Sequence, residues 1–417
     1  MKALIFGGSG KIGSAAAWDL AMDKDVQAVG IAGRREHALQ QTRDWIGSDK
    51  IVPHVLDIND KKQTSDLMRE YDVGIIALPD RRTSYKVAQT AIETGLNIVD
   101  MLEEYHRHPD AYETEGLEIP QGMELEEYGE WLHQTALENG VTFIDGMGFA
   151  PGLSNVTTGE AIRNMDAAES VIARVGGIPD KESSKRHPLR YIITWTFEHV
   201  LREYMIKLKV IKDGKVVEVP AIQDREIFNF NKFGKNEILQ CAVTPGMPSY
   251  IYTRSQLKDF AERTIRWPEH WQGVDTLKEC GLLDLEPWDF DGHKIVPRDF
   301  LFSLITPKLK PLPGDKDVSV MYNTTRGMKN GKKIKIEHFM WDEPDEKNGM
   351  SSMMRTTGFP VAIAAKFLLE GLITEKGIVP PEDAITGEVY DRFIEEIKKR
   401  NINILETTEQ ETEVQIT

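Results

Sequence analysis

The chain has 417 residues, 40% hydrophobic and 28% charged, a balance found in folded globular proteins and not in disordered or fibrous ones. Its 51 Lys and Arg face 67 Asp and Glu, for a formal charge of -16, which repels a phosphate backbone, so nucleic acid is not an expected partner. Cys241 and Cys280 are the only cysteines and have no CxxC spacing, so neither a disulfide framework nor a thiolate zinc site is expected, as suits a reducing compartment.

No apolar run reaches the roughly 18 residues that span a bilayer, and the longest, Phe359 to Leu369, contains Pro360 and Lys366. The opening MKALIFGG is far shorter in its apolar part than a secretory segment, so the expected location is the cytoplasm.

Lys2 to Phe6 reads as a strand and Ser14 to Met22 as an Ala-rich helix, joined by Gly7-Gly8-Ser9-Gly10-Lys11-Ile12-Gly13. Gly8, Gly10 and Gly13 satisfy GxGxxG. The first permits the tight turn, the second admits a pyrophosphate to the backbone, and the third lets helix pack on strand, with the helix N-terminus facing the anion. A glycine turn in a nucleotide-free fold is the alternative. A P-loop is excluded, because Lys11 is followed by Ile12 in place of Ser or Thr.

A second strand, Val26 to Ala32, runs into Gly33-Arg34-Arg35, where an NAD site places an acid on the ribose hydroxyls. Arg34 and Arg35 instead suit a 2′-phosphate, which favours NADP over NAD; the alternative is two solvated arginines opening the next helix. Strands are expected at Ile51 to Leu56, Val73 to Leu78, Asn97 to Val99 and Val141 to Ile144, with helical patterns between them. This rhythm describes a doubly wound parallel sheet of Rossmann type over residues 1–150. Ligands sit at the carboxyl ends of such strands, which brings in Leu78, Pro79, Asp100 and Asp145. The stretch from Glu103 to Gly129 interrupts the rhythm and reads as an insertion. Its His106 and His108 complete no metal set and read as part of a solvated loop.

Beyond Pro151 the pattern changes to strand-like runs at Ser170 to Gly176, Arg190 to Thr194, Ile206 to Lys212, Lys215 to Val219, Glu237 to Val243, Val318 to Thr325 and Lys332 to Phe339. Asp213-Gly214 supplies a two-residue turn that makes a hairpin of Ile206 to Val219. The expected fold class is therefore α/β with a second, α+β domain over 151–350 built on a mixed sheet. Helical patterns lie at Ser255 to Thr264, Ser351 to Leu372 and Val389 to Lys399, and the helices of about 351–400 are expected to return to the first domain. Glu409 onward reads as frayed.

The segment Asp145-Gly-Met-Gly-Phe-Ala-Pro-Gly-Leu-Ser-Asn155, with the GxGxxG start, resembles the saccharopine dehydrogenase-like family, and most of all its lysine 6-dehydrogenase branch. Val175 to Pro179, Pro188 to Trp195 with Glu203-Tyr204, Thr264-Ile-Arg-Trp-Pro268 with His270, and Met354 to Phe359 extend the resemblance over most of residues 1–400. Glu269 stands where the family carries glycine, which puts the local turn in question. The resemblance implies an NAD(P)-dependent oxidoreductase acting on the CH-NH2 or CH-NH group of an amino acid, and a homodimer. Oxidation at the ε-carbon of lysine leads; saccharopine reductase and carboxynorspermidine dehydrogenase activities, or a silent dinucleotide sensor, are the alternatives. Within it, Arg266 and then Arg190 are expected on the substrate carboxylate, and Asp145 and then Asp100 on the amine. His187 and His270 read as structural before catalytic, and Tyr191, Trp195 and Trp267 as packing.

Overall fold

The computed structural model describes residues 1–110, 114 and 117–410. They form two compact units: Met1–Arg163 with Met247–Ser249 and Met354–Ile402, and Asn164–Gly246 with Tyr250–Met353 and the chain from Asn403.

The first unit is a Rossmann-type sheet. Its strands are β1 (Lys2–Phe6), β2 (Ala28–Gly33), β3 (Ile51–Val55), β4 (Val73–Ile76), β5 (Asn97–Asp100) and β6 (Thr142–Ile144). Helix α1 (Lys11–Met22) follows β1, α2 (Glu36–Ile46) follows β2, α3 (Lys61–Met68) follows β3, α4 (Arg81–Thr94) follows β4, and α5 (Leu125–Glu138) precedes β6. Helices cover both faces of a parallel sheet, so its inner strands carry near-continuous apolar runs; residues 3 to 5 of β1 are fully buried.

The second unit is built on a mixed sheet with strands β7 (Ala167–Pro179), β8 (Lys207–Lys212), β9 (Lys215–Pro220), β10 (Glu226–Phe230), β11 (Glu237–Val243) and β12 (Asp259–Arg266). A small separate hairpin, β13 (Trp288–Phe290) and β14 (His293–Ile295), precedes the long strands β15 (Asp317–Lys329) and β16 (Lys332–Asp342). Two late strands complete the sheets, β17 (Gly377–Val379) and β18 (Ile404–Gln410). The first sheet has the order β17-β6-β5-β4-β1-β2-β3, all parallel. The second runs β10-β11-β12-β7-β15-β16-β18, with β8 and β9 attached through β12. Only its β7–β12 pair is parallel among the described pairings.

The expected hairpin forms, with Asp213 and Gly214 both at positive φ (50° and 73°). Three expectations fail. Arg190 to Thr194 is not a strand: Leu189 and Arg190 have φ of 57° and 48°, and left-handed backbone cannot continue a ladder. Ser255 to Thr264 is not a helix, because Asp259–Arg266 is drawn into the sheet between β7 and β11. Glu409 and Gln410 are not frayed, since β18 pairs with β16; residues 411–417 lie outside the described part. The free cysteines are one buried, Cys241, and one exposed, Cys280. No described helix is long and apolar enough to cross a membrane.

Glu269 occupies the left-handed region at φ 81°, just before the helix His270–Glu279. A side chain in that conformation costs on the order of 1 kcal/mol that glycine does not, and the exposed contact of Glu269 with Arg190 at 3.8 Å returns little. Glu269→Gly is therefore expected to raise the melting temperature by roughly 1–3 °C; thermal unfolding of the two proteins checks this, and a lower melting temperature would contradict it.

Candidate functional site

The glycine turn leaves β1 for α1 in contact with the ends of β2 and β4. A Cβ on Gly8 would lie 2.7 Å from Ile31, and one on Gly13 would lie 2.5 Å from the Gly7 carbonyl oxygen and 3.1 Å from Ala77 Cβ. Neither position accepts a side chain. Gly10 is the N-cap of α1 with no side-chain cap, and the first turn has no acid, so the helix N-terminus keeps its amide donors for an external anion. Ser9 is half-buried and Lys11 exposed, while Ile12 is half-buried. Leu78 packs beside the turn, 3.2 Å from the position of a Gly7 Cβ, and Pro79 precedes Asp80, whose carboxylate accepts the Thr83 N–H at 3.1 Å and caps α4.

At the end of β2 the missing acid leaves space. A Cβ on Gly33 would come 3.7 Å from Ser9 Oγ. Arg34 and Arg35 follow, both exposed, and no described acid forms an ion pair with either. A bare helix N-terminus, a small residue closing β2 and two unpaired guanidinium groups fit a dinucleotide with an extra phosphate.

Asp100 ends β5 and Asp145 follows β6, and the structure brings them together around His106. The His106 ring Nδ1 lies 2.8 Å from Asp145 Oδ1, and the His106 backbone N–H donates to Asp145 Oδ2 at 2.6 Å. The Gly146 N–H donates to Asp100 Oδ1 at 2.7 Å. Ser84 Oγ of α4 sits 3.3 Å from Asp100 Oδ2 and 3.1 Å from His106 Nε2. All three titratable side chains are fully buried. The reading of His106 as part of a solvated loop is thus corrected. His108 is the more exposed of the two, on Glu126 at 2.7 Å. The signal that could have found His106 is Gly129, a glycine inside α5 whose Cβ would meet the Arg107 and His106 carbonyl oxygens at 2.4 and 2.7 Å; such a glycine marks a close backbone approach.

Asp100, His106 and Asp145 offer donor atoms within 4.8 Å of one another, a grouping the sequence did not disclose; His106 and Asp145 hydrogen-bond each other, and Asp100 is satisfied by the Gly146 N–H and Ser84. Burial pushes Asp100 up to about 7, with the Asp145 charge adding to the rise. Burial raises Asp145 as well and lowers His106, against the pull of Asp100. The folded Asp100 thus holds its proton to higher pH than the unfolded chain does. The folded state binds more protons between about pH 4 and 7, so stability falls as pH rises through that window and levels off above it. Asp100→Asn, neutral throughout, is expected to flatten this slope; melting curves from pH 4.5 to 8 test it, and an unchanged slope would place the titrating group elsewhere.

The second unit holds another buried cluster. Arg266, at the end of β12, is 4% exposed. It donates through one Nη to the Ile265 carbonyl at 2.9 Å and through the other to Tyr204 Oη at 3.2 Å. Its guanidinium lies 5.1 Å from the Tyr191 ring centroid and 5.9 Å from that of Trp271. Arg266 Nε has no hydrogen-bond partner, and no described carboxylate lies within ion-pair distance of Arg266. His270, fully buried, is held between the Leu189 carbonyl at 2.9 Å and Tyr204 Oη at 3.2 Å. Burial beside Arg266 depresses its pKa to about 3, so the ring is neutral and structural. His187 is likewise structural, bonded to the Lys308 carbonyl at 2.9 Å and to Asp315 at 2.6 Å.

Arg190 is not brought to Arg266 by any described contact. It reaches Ser184 Oγ at 3.2 Å and lies 5.6 Å from the Trp267 ring centroid. Tyr191 is core, Trp195 packs against the same cluster, and Trp267 donates to the Pro179 carbonyl at 2.8 Å.

Residues 3–144 match the saccharopine dehydrogenase NADP binding domain and residues 148–402 the saccharopine dehydrogenase C-terminal domain. The mitochondrial alpha-aminoadipic semialdehyde synthase of Bos taurus is 26% identical over 340 residues, covering 65% of this chain and 36% of that protein, so the chain matches about a third of its length. The saccharopine dehydrogenase (NADP(+), L-glutamate-forming) of Pyricularia oryzae is 22% identical over 421 residues, 85% of this chain and 88% of that one. In fold, the chain resembles apo saccharopine dehydrogenase (L-Glu forming) from Saccharomyces cerevisiae, with a TM-score of 0.76 at 22% identity over 98% of this chain and 99% of the other. With both of its halves matched in order, the chain belongs to the saccharopine dehydrogenase family as an NADP-binding oxidoreductase.

Proposed function

We propose that this protein oxidises or forms the C–N bond of a secondary amine that carries an amino acid, as the names of the saccharopine dehydrogenases suggest, with Arg266 holding a substrate carboxylate. The observation that carries the reading is a buried guanidinium whose Nε lacks a partner and which no described carboxylate reaches within ion-pair distance. A buried charge left uncompensated costs several kcal/mol, and a planar carboxylate on the donor fork offsets that cost.

NADP, when bound, supplies the hydride-accepting ring, and Gly8 to Gly13, Leu78, Pro79, Arg34 and Arg35 are the residues assigned to hold it. Asp100 and Asp145 are assigned a positioning role through His106, because both carboxylates are sealed from solvent and already hydrogen-bonded. Arg190, part-exposed and on Ser184, is second to Arg266 for the carboxylate. Oxidative deamination of lysine at the ε-carbon is the competing reading, favoured by the motif from Asp145 to Asn155.

The test follows the absorbance of reduced nicotinamide with saccharopine and with L-lysine as substrates. Turnover of saccharopine supports the proposal. Turnover of lysine alone moves the activity to ε-deamination, and turnover of neither, in both directions, removes it. Arg266→Gln is expected to raise KM about 10–100-fold, the worth of a lost charged hydrogen bond, while NADP affinity stays unchanged; Arg266→Lys is expected to recover part of the loss. Equal loss of NADP binding would mean that Arg266 only supports the fold. Arg34→Asp is expected to weaken NADP at least 10-fold and spare NAD, as read by cofactor titration; equal weakening of both would refute the phosphate clamp.

A further inference from the structure

Strand β12 alternates, so Glu262, Thr264 and Arg266 point to one face of the second sheet. The register with β11 sets Gln240 opposite Arg266 and Ala242 opposite Thr264, and one step further Thr244 stands beside Glu262. Thr244 Oγ1 donates to Glu262 Oε2 at 2.9 Å and lies 2.6 Å from Thr264 Oγ1, which places these side chains together.

Glu262 is 3% exposed and Arg266 4%. A buried acid and a buried base thus share one sheet face, four positions apart, and do not pair. Thr244 is the only described hydrogen-bond donor to the Glu262 carboxylate. At the other end, Arg266 Nε and Trp271 Nε1 are buried donors without partners, and Gln240 Oε1 is a buried acceptor without one. Glu203 and Tyr204, from the helix Phe197–Glu203 and its C-cap, also bear on Arg266, yet no described carboxylate reaches ion-pair distance of it.

A buried carboxyl group and a buried guanidinium that do not bond to each other, with orphaned donors and an acceptor beside the guanidinium, leave hydrogen-bonding capacity that a zwitterion can take up. We infer that this stripe binds the head group of an α-amino acid, with Arg266 and Trp271 Nε1 on the carboxylate and Glu262 on the ammonium. The inference rests on the proposed role of Arg266 and adds Glu262 as the residue that distinguishes an amino acid from a plain carboxylic acid. Burial holds the empty Glu262 well above the usual carboxylate range, and an ammonium group against it supplies the compensation it lacks. Gly246 makes room for that carboxylate: a Cβ there would stand 2.6 Å from Glu262 Cδ and 2.7 Å from its Oε2.

The experiment is calorimetric titration of the full chain with NADPH present, the reduced form that cannot accept a hydride from an amine, using L-lysine against 6-aminohexanoate, L-glutamate against glutarate, and saccharopine. The wild type is expected to bind the better of the two α-amino acids at least 10-fold more tightly than its analogue lacking the α-amine. Glu262→Gln, which is isosteric, is expected to cut that ratio to about 3-fold or less and leave the affinity of the analogue unchanged. Gly246→Ala, which displaces the carboxylate, is expected to do the same and reads the ratio should the first variant fail to fold. A preserved ratio in either folded variant, no discrimination by the wild type, or no binding of any of the five compounds overturns the inference. Arg266→Gln separates the two readings: loss of amino acid and analogue alike supports the carboxylate clamp. Loss of neither removes the clamp whatever Glu262 does.

Discussion

Between β1 and α1 the chain turns with no side chain at Gly8 or Gly13, because the space each Cβ would need belongs to Ile31, to the Gly7 carbonyl and to Ala77. That close approach sets α1 against the sheet and aims a helix N-terminus with no acidic residue in its first turn past the ends of β2 and β4. Everything assigned to the cofactor hangs from this turn: Leu78 lies beside it, and Gly33 leaves the space before Arg34 and Arg35 that an acidic side chain would fill. The attraction of a diphosphate to such a site comes from backbone dipoles, which cost nothing to orient once the helix is formed.

Charge is treated differently in the two units. In the first, Asp100, Asp145 and His106 are buried together, and the cluster closes on itself through the Gly146 and His106 amides and Ser84. It ties the segment after β5 to the strand ends, and burial raises its carboxyl groups toward neutrality. Nearby, Arg81 and Glu104 form a second buried pair at 3.0 Å, with Tyr85 donating to Glu104 at 2.8 Å. In the second unit Glu262 and Arg266 are as deeply buried and remain apart. A satisfied polar cluster gives rigidity, whereas a buried donor or acceptor without a partner costs free energy until one is supplied.

The stiffness around Arg266 has a visible origin. Tyr204 Oη joins the guanidinium to His270, whose other nitrogen is taken by the Leu189 carbonyl. The rings of Tyr191 and Trp271 wall the guanidinium. A side chain held by that many fixed neighbours loses little entropy when a ligand arrives, which is what pre-organisation means for affinity.

How much of this could be read in advance follows from the range of the interactions. Apolar runs, the GxGxxG turn, the Arg-Arg pair and the Asp-Gly hairpin are local patterns, so the sequence by itself determined the Rossmann-type unit, its ligand edge and the presence of a mixed second sheet. It also placed Asp100 and Asp145 at the ends of neighbouring strands. Only the tertiary structure decided that Gly377 pairs with Thr142 to add a seventh strand, that Asp259–Arg266 is a strand although its pattern suits a helix, and that His106 is sealed between two aspartates. Burial of a charged side chain and pairing across hundreds of residues depend on what the rest of the chain brings alongside, and no local spacing encodes them. The unpaired partnership of Glu262 and Arg266 belongs to the same class: alternation puts them on one face, but their burial comes from the helices and loops that close over the sheet.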